Sequence, residues 1–269
     1  MAPNVHRDGR VSYGIFAVAI GAAFFVAILA VMEIGRRIGL RRKAQDPEGG
    51  LAGTGAVDGA VFTLLGLLVA FTFSGAADRF DTRRHLVVEE TNAIGTAYLR
   101  IDLLPPSAQP AMRDLFRRYV DARIETYRRL PDIEGATAEI ERSKVLQREI
   151  WTHAVAAGAM PDARPPASLL LLPALNAMID ISTTRMLAVQ MHPPAIIYAL
   201  LFVLALAGAL LAGHAMAAAK RRSALHVIGF AAATAIAVYV IIDLELPRLG
   251  FIRVEAFDRA LVELRESMR

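Results

Sequence analysis

The chain has 269 residues, 55% of them hydrophobic, with 30 Lys and Arg against 26 Asp and Glu and no cysteine. The absence of cysteine excludes disulfides and thiolate metal sites. A net charge of +4, with the basic clusters set against apolar runs, excludes nucleic acid as the natural partner and favours anionic lipid headgroups.

Four apolar runs, residues 13–34, 56–77, 195–219 and 224–246, hold almost none of these charges. Each is about twenty residues or more, enough to cross a ~30 Å hydrocarbon core at ~1.5 Å per helical residue. In lipid the backbone must satisfy its own hydrogen bonds, so the runs are helices. The predicted class is all-α: a polytopic membrane protein with four transmembrane helices and a helical soluble domain between helices two and three.

In chain order, residues 1–12 read as a polar, disordered tail. Residues 13–77 form transmembrane hairpin one. Its loop, 35–55, carries Arg36, Arg37, Arg41, Arg42 and Lys43, then a glycine-rich connector. The first run exceeds the ~7–15 apolar residues of a cleaved signal peptide and is read as a retained span. Beyond span two only Gly95 punctuates the chain before Pro105 and Pro106. One long helix is therefore expected to leave the bilayer and enter the soluble domain, residues 78–194.

Ser107 is expected to cap a second helix to about Leu130, with Met112, Leu115, Phe116, Tyr119, Val120, Ile124 and Tyr127 at helical spacing. A third helix covers 133–157 and carries Trp151, the chain's one tryptophan; a fourth covers 168–191. Hairpin two, 195–246, turns at 220–223 on Lys220, Arg221 and Arg222. The tail, 247–269, is amphipathic, with Ala256, Phe257, Ala260, Leu261 and Leu264 on one helical face. By the positive-inside rule the two basic loops lie in the cytoplasm, which puts the soluble domain outside.

The stretch 62–100 carries a Leu65–Gly66 step, Arg79–Phe80, the basic pair Arg83–Arg84 and the turn Glu90-Thr91-Asn92. With LPALNAMIDISTTR at 172–185, it resembles the bestrophin-like membrane proteins of bacteria, a family distantly similar to the bestrophin anion channels. The resemblance covers roughly 56–246. It implies a bacterial inner-membrane protein, a homo-oligomer (a pentamer if bestrophin-like), small anions as permeants, and a cytoplasmic soluble domain, against the charge rule. Carried over by position, it makes Leu65, Val69 and Phe73, four apart on the second span, the candidate pore neck.

Each candidate has a plainer alternative. Apolar residues can gate by dewetting, but Leu65, Val69 and Phe73 can equally pack on neighbouring spans, and Gly66 with Ala70 marks a close helix approach. Arg79, Arg83, Arg84 and Glu90 can form a charged vestibule or a salt-bridged helix surface. Asn92, Asn176, Asp180 and Arg185 interrupt apolar faces, and Asn176, Asp180 and Thr184 align at four-residue spacing. A buried polar network is the expected reading. His85 and Glu89 have ligand spacing, but two ligands do not make a metal site. His214, His226, Glu33, Asp243 and Glu245 are read as interfacial. No enzyme signature is present, so no catalytic residue and no cofactor is expected. The alternative to an oligomeric anion channel is a non-conducting scaffold or envelope sensor whose helical domain binds a partner.

Overall fold

The computed structural model describes residues 5–46, 55–130, 132–219, 223–246, 252 and 255–268, with side chains described from residue 18 onward except at 218 and 255–258. Eight α-helices and two 3-10 turns follow one another, with no strand among the described residues. They are α1 (Val5–Gln45), α2 (Gly55–Leu99), α3 (Gln109–Arg128), α4 (Ile133–Gly158), α5 (Pro165–Gln190), α6 (Ala195–Ala215), α7 (Ala224–Glu245) and α8 (Glu255–Ser267). Four of the helical stretches are long and apolar enough to cross a membrane. The protein is all-α and a multi-pass membrane protein.

The first helix corrects two expectations. The residues read as a disordered tail are helical from Val5, and the basic residues 36–43 are helical rather than loop. Arg and Lys are good helix formers, and no proline occurs after Pro3 until Pro47, so nothing ends the helix earlier. Lys220, Arg221 and Arg222 lie outside the described residues. As expected, α2 continues well past its apolar run. Its 45 residues make about 67 Å of helix, over twice the ~30 Å hydrocarbon core.

The chain divides into two compact units. One gathers Arg79–Met191 with the C-terminal segment; the other gathers Val11–Asp78 with His192–Leu246.

In the first unit the end of α2 packs with α3, α4, α5 and α8 around Ile94, Ile101, Phe116, Tyr119, Leu146, Ile150, Leu171, Leu175 and Met178. Burying each such side chain is worth about 1.5–3 kcal/mol. Ser107 does not cap α3: Ala108 occupies the N-cap without a side-chain bond, and a proline sits in the first turn. A first-turn proline wastes no N–H, since those donors are unpaired in any case. The same logic starts α5 at Pro165, three residues earlier than expected. Asp132 caps α4, accepting from the Gly135 N–H at 3.0 Å. The tail helix α8 buries Leu261 in this core, and Met268 just beyond it is buried there as well. Arg265 grips Asp121 with two bonds of 2.8 and 3.1 Å, and Arg117 donates to the Met268 carbonyl at 3.0 Å.

In the second unit Ile28, Met32, Ala209, Val227, Ala231 and Ala235 are buried together, with Phe24 edge-on to Phe202 at 4.8 Å. Helices α1 and α6 approach closely. A Cβ added at Gly213 would fall on the Met32 carbonyl, one at Gly35 on the Leu210 carbonyl, and one at Gly39 would lie 2.7 Å from the His214 carbonyl. Glycine lets the two backbones approach, as small residues do between membrane helices.

Candidate functional site

The subunit's own packing covers the expected neck stripe unevenly. Leu65 is buried and lies 3.4 Å from where a Cβ on Gly208 would stand. Val69 is half-buried, and Phe73 is 46% exposed. Four-residue steps advance about 40° around a 3.6-residue helix, so a stripe that starts on the packed face leaves it within two turns. The open face of α2 is centred instead on Leu64, Leu67 and Phe71, exposed to 52%, 50% and 67%. A Cβ at Gly66 would meet nothing within 4 Å. Among the described residues the close approach expected at Gly66 and Ala70 is not made at Gly66, and backbones approach closely at Gly35, Gly39 and Gly213.

Beyond the apolar run, Arg83 and Glu90 share a helix face, as seven-residue spacing requires, but both are buried. Arg83 donates to the Ala188 carbonyl at 3.2 Å and the Met191 carbonyl at 3.0 Å. It thereby satisfies the carbonyls left over where Pro193 and Pro194 end α5. Arg79 and Arg84 are half-buried, and Arg84 pairs with Asp81 at 2.9 Å.

Glu90 is the centre of a buried ionic network. Its Oε1 accepts from Arg123 Nε at 2.6 Å and its Oε2 from Arg185 Nη1 at 2.5 Å. Arg123 also donates to the Tyr127 hydroxyl at 2.8 Å, and the Arg185 guanidinium stacks 3.9 Å from the Tyr127 ring centre, a favourable cation–π geometry. Burial alone would push the Glu90 carboxyl up. The two guanidiniums overcome that and hold it below its ordinary value. Beside this triad Gln147 donates to the Tyr119 hydroxyl at 3.1 Å and to Ser182 Oγ at 2.9 Å.

Only Arg185 of the expected polar network belongs to this one. Asn92 on α2 is exposed, and so are Asn176, Asp180 and Thr184, because α5 turns Met178, Ser182 and Arg185 to the core and that line to the opposite side. Arg123 and Tyr119 were missed. Their signal was an arginine at four-residue spacing between Tyr119 and Tyr127 on an otherwise apolar α3 face. His85 and Glu89 are exposed.

In the second unit, Asp243 and Glu245, near the end of α7, are buried against the protein. His192 Nδ1 lies 3.3 Å from Glu245 Oε2, and Tyr239 donates to Asp243 at 3.4 Å. His214 is buried at the α1–α6 crossing, whereas His226 is exposed and hydrogen-bonded to Ser223 at 2.6 Å.

A family model described as the Bestrophin-like domain matches residues 22–256, nearly the whole of this arrangement. The chain belongs to the bestrophin-like family. No curated protein and no solved structure matches it. The match takes in all of α2 and all of the Glu90 network of this bestrophin-like protein, from Glu90 through Arg185.

Tyr119 supplies a prediction about this bundle. Burial pushes its phenol up from 10.0 to about 12. The folded state therefore keeps the proton after the unfolded chain has lost it. The associated stability is complete below pH 10 and is lost as pH rises through 10 to 12. Thermal midpoints of the full chain in detergent are expected to fall over that window, and to fall less steeply in Tyr119→Phe.

Proposed function

We propose that this bestrophin-like protein is an oligomeric anion channel in the bacterial inner membrane, with α2 lining the pore. The observation that carries the reading is that the apolar span of α2 has the smallest buried share of the four. An apolar helix that its own chain leaves open needs lipid, another copy or a pore on that side. Val69 and Phe73 remain constriction candidates. Leu65 faces α6 and acts as their packing support. Arg79 and Arg84, on the turns that follow, add positive potential near the mouth, Arg84 while paired with Asp81; the buried Arg83 and Glu90 position the helix that carries them.

Chloride efflux from proteoliposomes tests this, with an inert membrane protein as control and oligomer mass measured on the same sample. Phe73→Ala is expected to raise flux several-fold by widening an apolar constriction. An intact oligomer that passes no chloride, with either residue at position 73, would favour the scaffold or sensor reading.

Sidedness can be tested directly because the chain has no cysteine. A single Thr183→Cys, at an exposed position on α5, gives a unique label. A channel with the family's arrangement is expected to place it in the cytoplasm. Labelling of intact cells by an impermeant maleimide would place the domain outside, as the basic residues near spans one and three argue.

A further inference from the structure

Helix α1 does not stop at the end of its apolar run. It continues past Glu33 to Gln45 as regular helix. Its inner line, Met32, Gly35 and Gly39, is pinned to α6 by backbone contact, which fixes the rotation of the last turns. The outer side then displays two chemistries in alternation. Ile34, Ile38 and Leu40 are exposed to 52%, 42% and 41%, and between and beyond them Arg37, Arg41 and Arg42 are exposed as well.

Acidic compensation is small. From Glu33 to Asp46 five cations face those two acids only. Glu33 takes Arg37 at 3.0 Å and approaches Arg36 at 4.0 Å, whereas Arg41 and Arg42 form no ion pair among the described residues.

We propose that these last turns of α1 form a binding surface for an anionic phospholipid. Its phosphate rests on Arg37, Arg41 and Arg42, and its acyl chains lie along Ile34, Ile38 and Leu40. The pairing of chemistries selects the occupant. A soluble anion would leave three large apolar side chains in water, and a zwitterionic lipid would bring a cation of its own to offset its phosphate, leaving the excess positive charge of Arg41 and Arg42 uncompensated. An anionic amphiphile satisfies both, and the site stands where the apolar run meets its first charges, at headgroup depth. Nothing in this assignment depends on ion conduction.

The test is native mass spectrometry of the full-length protein in detergent, titrated with phosphatidylglycerol or phosphatidylcholine of identical acyl chains. Phosphatidylglycerol is expected to be retained in preference, by roughly fivefold for each arginine engaged. Arg41→Gln with Arg42→Gln is expected to abolish the preference, and Arg41→Lys with Arg42→Lys to keep most of it. Both positions are exposed, so the helix persists in each variant. Ile34→Ser with Ile38→Ser is expected to weaken retention of both lipids. Equal retention of the two lipids by the unaltered protein, or a preference that survives the glutamine pair, would overturn the proposal. So would loss of the preference on adding inorganic phosphate in place of extra lipid, because that would mark a site for free anions.

Discussion

Glu90→Gln is expected to destabilise the helical bundle by about 3–5 kcal/mol, the usual cost of removing one partner from a buried ionic cluster. The carboxylate is fully buried between Arg123 and Arg185, themselves 5% and 4% exposed at the side chain. The triad carries one net positive charge; without the carboxylate two guanidiniums remain in the same interior with no anion between them. The triad links α2 to α3 and α5, so the loss acts on three helices together. Its role differs from that of a surface ion pair, which is worth about 0–1 kcal/mol; Arg84–Asp81 serves as that control. Asp81→Asn is expected to change the thermal midpoint little, and Glu90→Gln to lower it by many degrees. Replacing Glu90, Arg123 and Arg185 together by apolar residues of similar size is expected to recover most of the loss, since the penalty comes from unpaired charge.

The same carboxylate sets an acid limit. Its folded value lies below the ordinary 4.5, so the unfolded chain takes up the proton first as pH falls. The stability it contributes is complete above pH 4.5 and is lost progressively below it. Denaturation midpoints measured downward from pH 6 are expected to show this limb in the unaltered protein. Glu90→Gln, with nothing to titrate there, is expected to lack it.

Segregation of charge made the architecture legible in sequence. Each apolar run carries its own length, and the missing breakers after Asp78 announced that α2 would continue. What periodicity left open was which face of a helix is covered. On α5, Asn176, Asp180 and Thr184 form one line and Ser182 and Arg185 another, and spacing alone cannot say which meets the core. Neighbouring helices decide it: Gln147 of α4 and Glu90 of α2 supply partners for the second line only. The stripe from Leu65 to Phe73 shows the same dependence, since four-residue steps drift around a 3.6-residue helix and the subunit's own packing covers Leu65 more than Phe73. Arg36 to Lys43 read as loop because charges at the end of a span suggest an exit from the helix as well as from the bilayer. Propensity favoured continuation, and nothing after the charges opposed it until Pro47.

Gly213→Val is expected to disrupt the second unit, and Gly35→Val to do so nearly as severely. A Cβ at either position would fall on a carbonyl of the facing helix, Met32 or Leu210. Backbone cannot rotate away as a side-chain tip can, so α1 and α6 must separate. Overpacking of this kind costs about 1–3 kcal/mol in soluble cores and occasionally more. Between membrane helices the loss is felt fully, because lipid offers no hydrophobic gain for bringing helices together and packing supplies much of the attraction. The pattern Gly35-x-x-x-Gly39 stood in the sequence, but Gly66 with Ala70 carried the same signal. Only the structure separates them, since nothing lies within 4 Å of a Cβ at Gly66. Gly66→Val is therefore the matched control. In thermal unfolding of dispersed subunits in detergent it is expected to behave as the unaltered protein does, while Gly213→Val unfolds at much lower temperature. Oligomer mass on the same samples then reads the open face of α2. If Gly66→Val leaves the subunit intact but breaks the assembly, a second copy approaches there; if the assembly persists, Gly66 faces lipid or the pore.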